Sequence, residues 1–138
     1  MHTRASAYAL AIHNDCVLLT QLAAYCRNGG HWTLPGGGID HGEQPHETVV
    51  REAVEETSLH AKDLALLHAR TFSETGGSGG DFLAVQIVYS ATMVGPPSVQ
   101  EVGGSTAAVA WVPLSEVAAL PTVSLVGAAL AAWSETRV

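Results

Sequence analysis

The chain has 138 residues, 47% of them hydrophobic and 14% charged, which is enough to bury one core and too apolar for an intrinsically disordered segment. Thirteen acids against six bases give a formal charge of −7, which opposes nucleic acid or an anionic membrane as a partner. The longest apolar stretch near the C-terminus, Leu125 to Trp133, is too short to span a bilayer, so no membrane span is expected, and the length suits a single domain over residues 1–138.

The opening MHTRASAYALAIHND shows no small-residue cleavage site, so a secretory signal is not expected. Ala5 to Ile12 and Val17 to Leu22 read as two strands joined by the turn-prone His13-Asn14-Asp15. Cys16 and Cys26 lack metal-type spacing and read as reduced thiols of a cytoplasmic protein. His31 to Leu34 reads as a short strand ended by Pro35-Gly36-Gly37-Gly38, and Trp32 within it reads as core more readily than as a base-stacking platform. Pro45 suits the first turn of a helix that runs to about Thr57.

Leu64 to Phe72 and Phe82 to Val94 are β-type runs. The Gly-rich stretch between them, Glu74 to Gly80, reads as a flexible connection that could double as a substrate lid; it has neither P-loop nor dinucleotide-binding spacing. Ala107 to Val112 reads as the last strand, Leu114 to Leu120 as a short helix and Thr122 to Trp133 as a closing apolar helix, which could pack on the sheet or on a second copy to give a homodimer. The expected class is α/β, a mixed sheet covered by helices on its faces.

The chemistry concentrates in residues 37–59, GGIDHGEQPHETVVREAVEETSL. Six acids fall between positions 40 and 56: Asp40, Glu43, Glu47, Glu52, Glu55 and Glu56. At ~100° per residue, Val49, Val50, Ala53 and Val54 cover ~140° of the helix, and Glu52, Glu55 and Glu56 are expected on the far side. Like charges three and four residues apart repel by a few tenths of a kcal/mol per pair, roughly. Such a face is either simply solvated or compensated, and hard divalent cations such as Mg²⁺ or Mn²⁺, which take oxygen ligands, are the natural compensator. His41 and His46 do not form a zinc-protease pair, because Val50 stands where the second histidine of that motif belongs.

This stretch resembles the box of the Nudix family, G-x5-E-x7-R-E-U-x-E-E-x-G-U, with U a bulky apolar residue. Gly37, Glu43, Arg51, Glu52, Glu55, Glu56 and Leu59 match it in register. Ala53 is smaller than the family's apolar residue, and Ser58 replaces a glycine whose role is to end the helix in a left-handed conformation. The later Trp111-Val112-Pro113-Leu114 segment also resembles family members.

The resemblance implies a Nudix-like α/β/α sandwich and a MutT-like pyrophosphohydrolase that splits a diphosphate linkage in a nucleoside diphosphate derivative. A nucleoside triphosphate, ADP-ribose and a nucleotide sugar are not distinguished by the sequence. The resemblance further implies that Glu52, Glu55 and Glu56, with the Gly36 carbonyl, hold the metal, and that Glu43 and Arg51 form a supporting ion pair. A general base is drawn either from the box or from a later loop, where Glu101 is the first choice and Glu74 the second. The alternative from another class is a Nudix-like domain that binds a nucleotide and regulates a partner without turnover.

Overall fold

The computed structural model describes residues 2–77, 80–99 and 104–137. Strand β1 (His2–Leu10) runs on, after Ala11, into the two-residue β2 (Ile12–His13), so the single expected strand divides between two sheets. Asn14 and Asp15 both take positive φ, 50° and 58°, the conformation of a tight hairpin turn, and return the chain along β3 (Cys16–Leu22). Strand β4 (Trp32–Thr33) is shorter than expected. The glycine run does not end the sheet but forms β5 (Gly36–Gly38), antiparallel to β1 with Tyr8 opposite Gly36. A Cβ at Gly36 would lie 2.2 Å from the Ala7 carbonyl oxygen, and its φ is +148°, so only glycine permits this pairing.

Helix α1 (Pro45–Thr57) has the expected bounds. Pro45 sits in its first turn, Glu47 accepts the Gln44 N–H at 2.8 Å, and Ser58 closes it in the left-handed region at φ 66°. Strands β6 (His60–Gly77) and β7 (Gly80–Val94) form one long hairpin. The expected flexible connection is therefore mostly sheet, because cross-strand pairs continue through Glu74–Phe82 to Gly77–Gly80. Strand β8 (Thr106–Pro113), a 3₁₀ turn (Leu114–Ala119) and α2 (Ser124–Glu135) complete the chain.

Two four-stranded sheets result, ordered β5-β1-β7-β6 and β2-β3-β4 with β8 on β3. The first is mixed, since β1 and β7 are parallel from His2–Phe82 to Leu10–Ser90. Helix α1 covers one of its faces through Val49 against Ala7 and Ala9. The main core lies elsewhere, where Leu10, Val17, Leu19, Leu34 and Val88 meet Leu125, Val126 and Ala129 of α2. Helix α2 thus spends its apolar side within the chain. No helix among the described residues is long and apolar enough to cross a membrane.

Candidate active site

Helix α1 departs from the simple division into an apolar face and an acidic face. Val49 and Ala53 are buried, yet Val50 is 39% exposed and Glu56 only 8%. On a 100° wheel Glu56 falls just beside Val49 rather than opposite it, so its carboxylate enters the interior with the apolar side chains. There its Oε1 accepts the Gly36 N–H at 2.8 Å and its Oε2 lies 3.4 Å from the donating Thr106 hydroxyl. One carboxylate thereby ties the helix to the glycine strand.

Glu52 approaches the same strand one residue on. A Cβ at Gly37 would stand 3.1 Å from its carboxyl carbon and 3.1 Å from Oε1. Gly37 therefore makes room for a carboxylate head group.

Arg51 organises the rest. Its Nε and Nη2 donate to the two oxygens of Glu43 at 2.8 and 3.0 Å, a two-pronged pairing. Nη2 also donates to the Gly38 carbonyl at 3.2 Å, and Nη1 donates to Glu52 at 2.8 Å and to Glu55 at 3.3 Å. Asp40 lies 3.4 Å from the same guanidinium. The repulsion foreseen among the helix carboxylates is thus relieved by Arg51. Glu43 further accepts the Thr48 hydroxyl at 2.5 Å and the Asp40 N–H at 3.1 Å. The Arg51 and Thr48 hydrogen bonds together hold the Glu43 carboxyl down at about 2, and Glu43 in turn pushes Arg51 above its ordinary value.

Glu52, Glu56 and the backbone of Gly36–Gly38 line one end of a cleft of about 800 Å³. Arg4 reaches the same end, where a Cβ on Gly38 would meet its guanidinium at 3.0 Å. Phe72, Phe82 and Gln86 line the cleft from the β6–β7 hairpin, and His31 lines it from the loop before β4. The cleft therefore pairs a carboxylate-and-glycine end with an aromatic and polar wall.

A family model described as the NUDIX domain matches residues 2–133. The chain belongs to the Nudix family. A MutT Nudix hydrolase from Burkholderia pseudomallei superposes with a TM-score of 0.75 at 25% identity, over 97% of this chain and 98% of that one. The Nudix domain of Shewanella oneidensis NrtR, solved with ADP ribose, does so with a TM-score of 0.75 at 25% identity, over 100% of this chain and 89% of that one. Among curated proteins, the CMP-5′-(N-acetyl-N-hydroxy-3-aminopropyl)phosphonate hydrolase of Streptomyces rubellomurinus is 33% identical over 89 residues, 64% of this chain and 41% of that protein. The chain spans less than half the length of the curated relatives it matches, only 22% of the first of them.

Within the Nudix box, the structure brings Glu43, Arg51, Glu52 and Glu55 into one network and sets Glu56 against Gly36. The Gly36 N–H is the group that donates to Glu56. Among the described residues no three His, Cys, Asp or Glu side chains are already arranged as a metal cage. The donors present nevertheless fit a hard cation: they are carboxylate and carbonyl oxygens, and Gly37 leaves open the space a Cβ would fill beside Glu52. Glu74 lines the cleft and pairs with Arg27. Glu101 lies outside the described residues. Gln86 and His31 escaped the sequence reading, although a glutamine within the apolar run Phe82 to Val94 was the available signal.

Proposed function

We propose that this Nudix chain, acting as one domain, hydrolyses a diphosphate linkage in a nucleoside 5′-diphosphate derivative with Mg²⁺ or Mn²⁺ as its cofactor. The observation that carries this reading is the meeting of Glu52 and Glu56 with the Gly36–Gly38 strand at one end of a nucleotide-sized cleft. Glu52, Glu55, Glu56 and the Gly36 carbonyl would hold the cation, which supplies charge neutralisation for phosphate oxygens and makes bound water more acidic.

The chain's own groups have separate tasks. Arg51 and Glu43 fix α1 against β5, so the carboxylates need little reordering when substrate arrives. Arg4 offers a guanidinium to the phosphates beside Gly38. Glu101 is assigned the proton of the attacking water, with Glu74 second because Arg27 already engages it. Two similar proteins, one solved with ADP ribose and one a hydrolase of a CMP-linked phosphonate, support a nucleoside-bearing substrate.

The test is release of phosphate-containing products from a panel of nucleoside triphosphates, ADP-ribose and nucleotide sugars with Mg²⁺, the products being separated. Cleavage at the diphosphate linkage is expected. Tight nucleotide binding without products would instead establish the non-catalytic, regulatory reading.

A further inference from the structure

The last turn of α1 holds both ends of the connection between β7 and β8. At one end the Thr57 carbonyl accepts the Ser98 N–H at 2.8 Å, and the Ser58 hydroxyl donates to the Ser98 carbonyl at 2.8 Å. At the other end the Thr106 hydroxyl donates to Glu56 Oε2 at 3.4 Å, and the Ala23 N–H donates to the Ser105 carbonyl at 2.8 Å. Consecutive helix residues Glu56, Thr57 and Ser58 therefore fasten both flanks of one connection.

The fastening by Ser58 is this chain's own addition. The last carbonyls of any helix lack partners within it, so the Thr57 carbonyl is free to take an amide from elsewhere. A glycine at a left-handed helix end, the residue of the box, has no hydroxyl to offer. The approach to Ser98 is also stiff. Gly95 turns the chain at φ 119°, where a Cβ would stand 3.4 Å from Leu59 Cδ2, and Pro96 and Pro97 then restrict the two residues before Ser98. A rigid lead-in that ends on a hydrogen-bonded residue fixes where the connection starts.

Between Asp81 and Glu116 the sequence holds one charged residue, Glu101. Chain length alone limits how far it stands from the two anchors. At ~3.3–3.6 Å per residue, its Cα lies within about 11 Å of Ser98 and about 18 Å of Thr106, whatever path the chain takes. The helix residues that hold those anchors belong to the turn that carries Glu55 and Glu56. A carboxylate carried by the connection is thereby referenced to the carboxylate cluster itself.

We propose that Ser58 is a positioning residue for the reaction: by holding Ser98, its hydroxyl sets how Glu101 meets the attacking water at the carboxylate cluster. This rests on the proposed function and on the assignment of the water's proton to Glu101. Ser58 touches neither substrate nor cation in this role and acts through the connection alone. A displacement on the order of 1 Å at a reacting group can cost up to about a hundredfold in rate, so one hydrogen bond at the anchor matters to turnover.

The test is a double-mutant cycle of Ser58→Gly and Glu101→Gln, read as kcat, substrate KM and the Mg²⁺ concentration for half-maximal turnover on a nucleotide that the wild type cleaves. Ser58→Gly keeps the left-handed helix end and the bond between Thr57 and Ser98, so the fold is retained. It is expected to lower kcat by about tenfold, with KM and the Mg²⁺ requirement within about twofold of wild type. In the Glu101→Gln background, Ser58→Gly should change kcat by less than about twofold, because the group being positioned is gone. Ser98→Ala retains the carbonyl that accepts the Ser58 hydroxyl, so its loss in kcat should stay below about threefold. An unchanged kcat in Ser58→Gly overturns the proposal. An equal loss with and without Glu101 does so too, since Ser58 would then only support α1, as does a loss that falls on KM or the Mg²⁺ requirement instead of kcat. A wild type that cleaves no compound of the nucleotide panel removes the proposed function and this role with it, whereas cleavage with any of those three results removes this role alone.

Discussion

The Ser58 hydroxyl donates to the Ser98 carbonyl at 2.8 Å and lies 2.7 Å from the Ser98 hydroxyl. The Ser98 N–H in turn donates to the Thr57 carbonyl at 2.8 Å. The one box position where this chain lacks glycine therefore fastens the end of α1 to the segment after β7. Ser58 keeps the left-handed conformation, φ 66°, that glycine would adopt without strain. Two effects of similar size oppose each other: ~1–2 kcal/mol of conformational strain against roughly 0.5–1.5 kcal/mol per hydrogen bond.

Ser58→Gly is accordingly expected to change stability by less than about 1 kcal/mol, since the strain goes and the tether goes with it. Ser58→Ala keeps the strain and loses the tether, so it should be the less stable of the two by ~1–2 kcal/mol. Urea unfolding of both variants separates the contributions. Equal destabilisation by Ala and Gly would show that the left-handed strain is not felt.

How far the sequence reveals the molecule depends on how local each signal is. Pro45 and Ser58 mark the ends of α1 because a proline and a left-handed cap are local signals. The inward turn of Glu56 follows from the wheel, on which it falls beside Val49, but grouping the helix residues by polarity sets Glu56 with the acids and Val50 inside, whereas Val50 faces solvent. The glycines of β5 form a strand because of a partner far along the chain, Tyr8, whereas the hairpin beyond Glu74 pairs across its own turn, Glu74 with Phe82 and Gly77 with Gly80, which glycine-rich composition alone does not announce. That His31 and Gln86 line one cleft is set by how separate segments of the chain meet, and the local signal is confined to a glutamine within the apolar run Phe82 to Val94.

Glu43 makes acid stability depend on the box. Its folded value, about 2, is below the ordinary 4.5. It therefore stabilises the fold fully above pH 4.5, and that contribution is lost as pH falls from 4.5 toward 2. Glu43→Gln removes the titration. The difference in unfolding midpoint between wild type and variant should be greatest above pH 5 and narrow toward pH 2. Parallel profiles would mean that Glu43 and Arg51 are not coupled in solution.

Gly37→Ala tests the space beside Glu52. The added Cβ would stand 3.1 Å from the carboxyl carbon, so the carboxylate must move by a few tenths of an ångström or more. Gly37 is not among the glycines with positive φ, so the fold should survive with little change in melting temperature. The Mg²⁺ concentration for half-maximal turnover should rise by about tenfold, as expected when a ligand-orienting contact is disturbed. An unchanged Mg²⁺ requirement would take Glu52 out of the metal site.

Glu56→Gln separates two roles of one side chain. The amide oxygen can still accept the Gly36 N–H that Glu56 holds at 2.8 Å, so melting should shift by only a few degrees, roughly. The negative charge is gone, so Mg²⁺-dependent turnover should fall by about 10²-fold or more. A variant with wild-type turnover would show that Glu56 is a structural clamp alone.

The general base is the part of the mechanism on which box and loop compete. Arg51 engages Glu52 at 2.8 Å and Glu55 at 3.3 Å, and Glu56 is committed to Gly36 and Thr106. With the box carboxylates so occupied, the water's proton is assigned to the loop glutamate Glu101. Glu101→Gln should lower kcat by about 10²–10⁴ while leaving Mg²⁺ affinity nearly unchanged, because a base acts on the proton and not on the resting metal site. If Glu101 instead holds the metal, Mg²⁺ affinity falls together with rate. If it does neither, both stay at wild-type values, and Glu74→Gln becomes decisive because Glu74 already lines the cleft. Titrating Mg²⁺ at saturating substrate for wild type and the two variants resolves these outcomes. A rate unchanged in both would return the base to the box, with Glu52 the first to substitute.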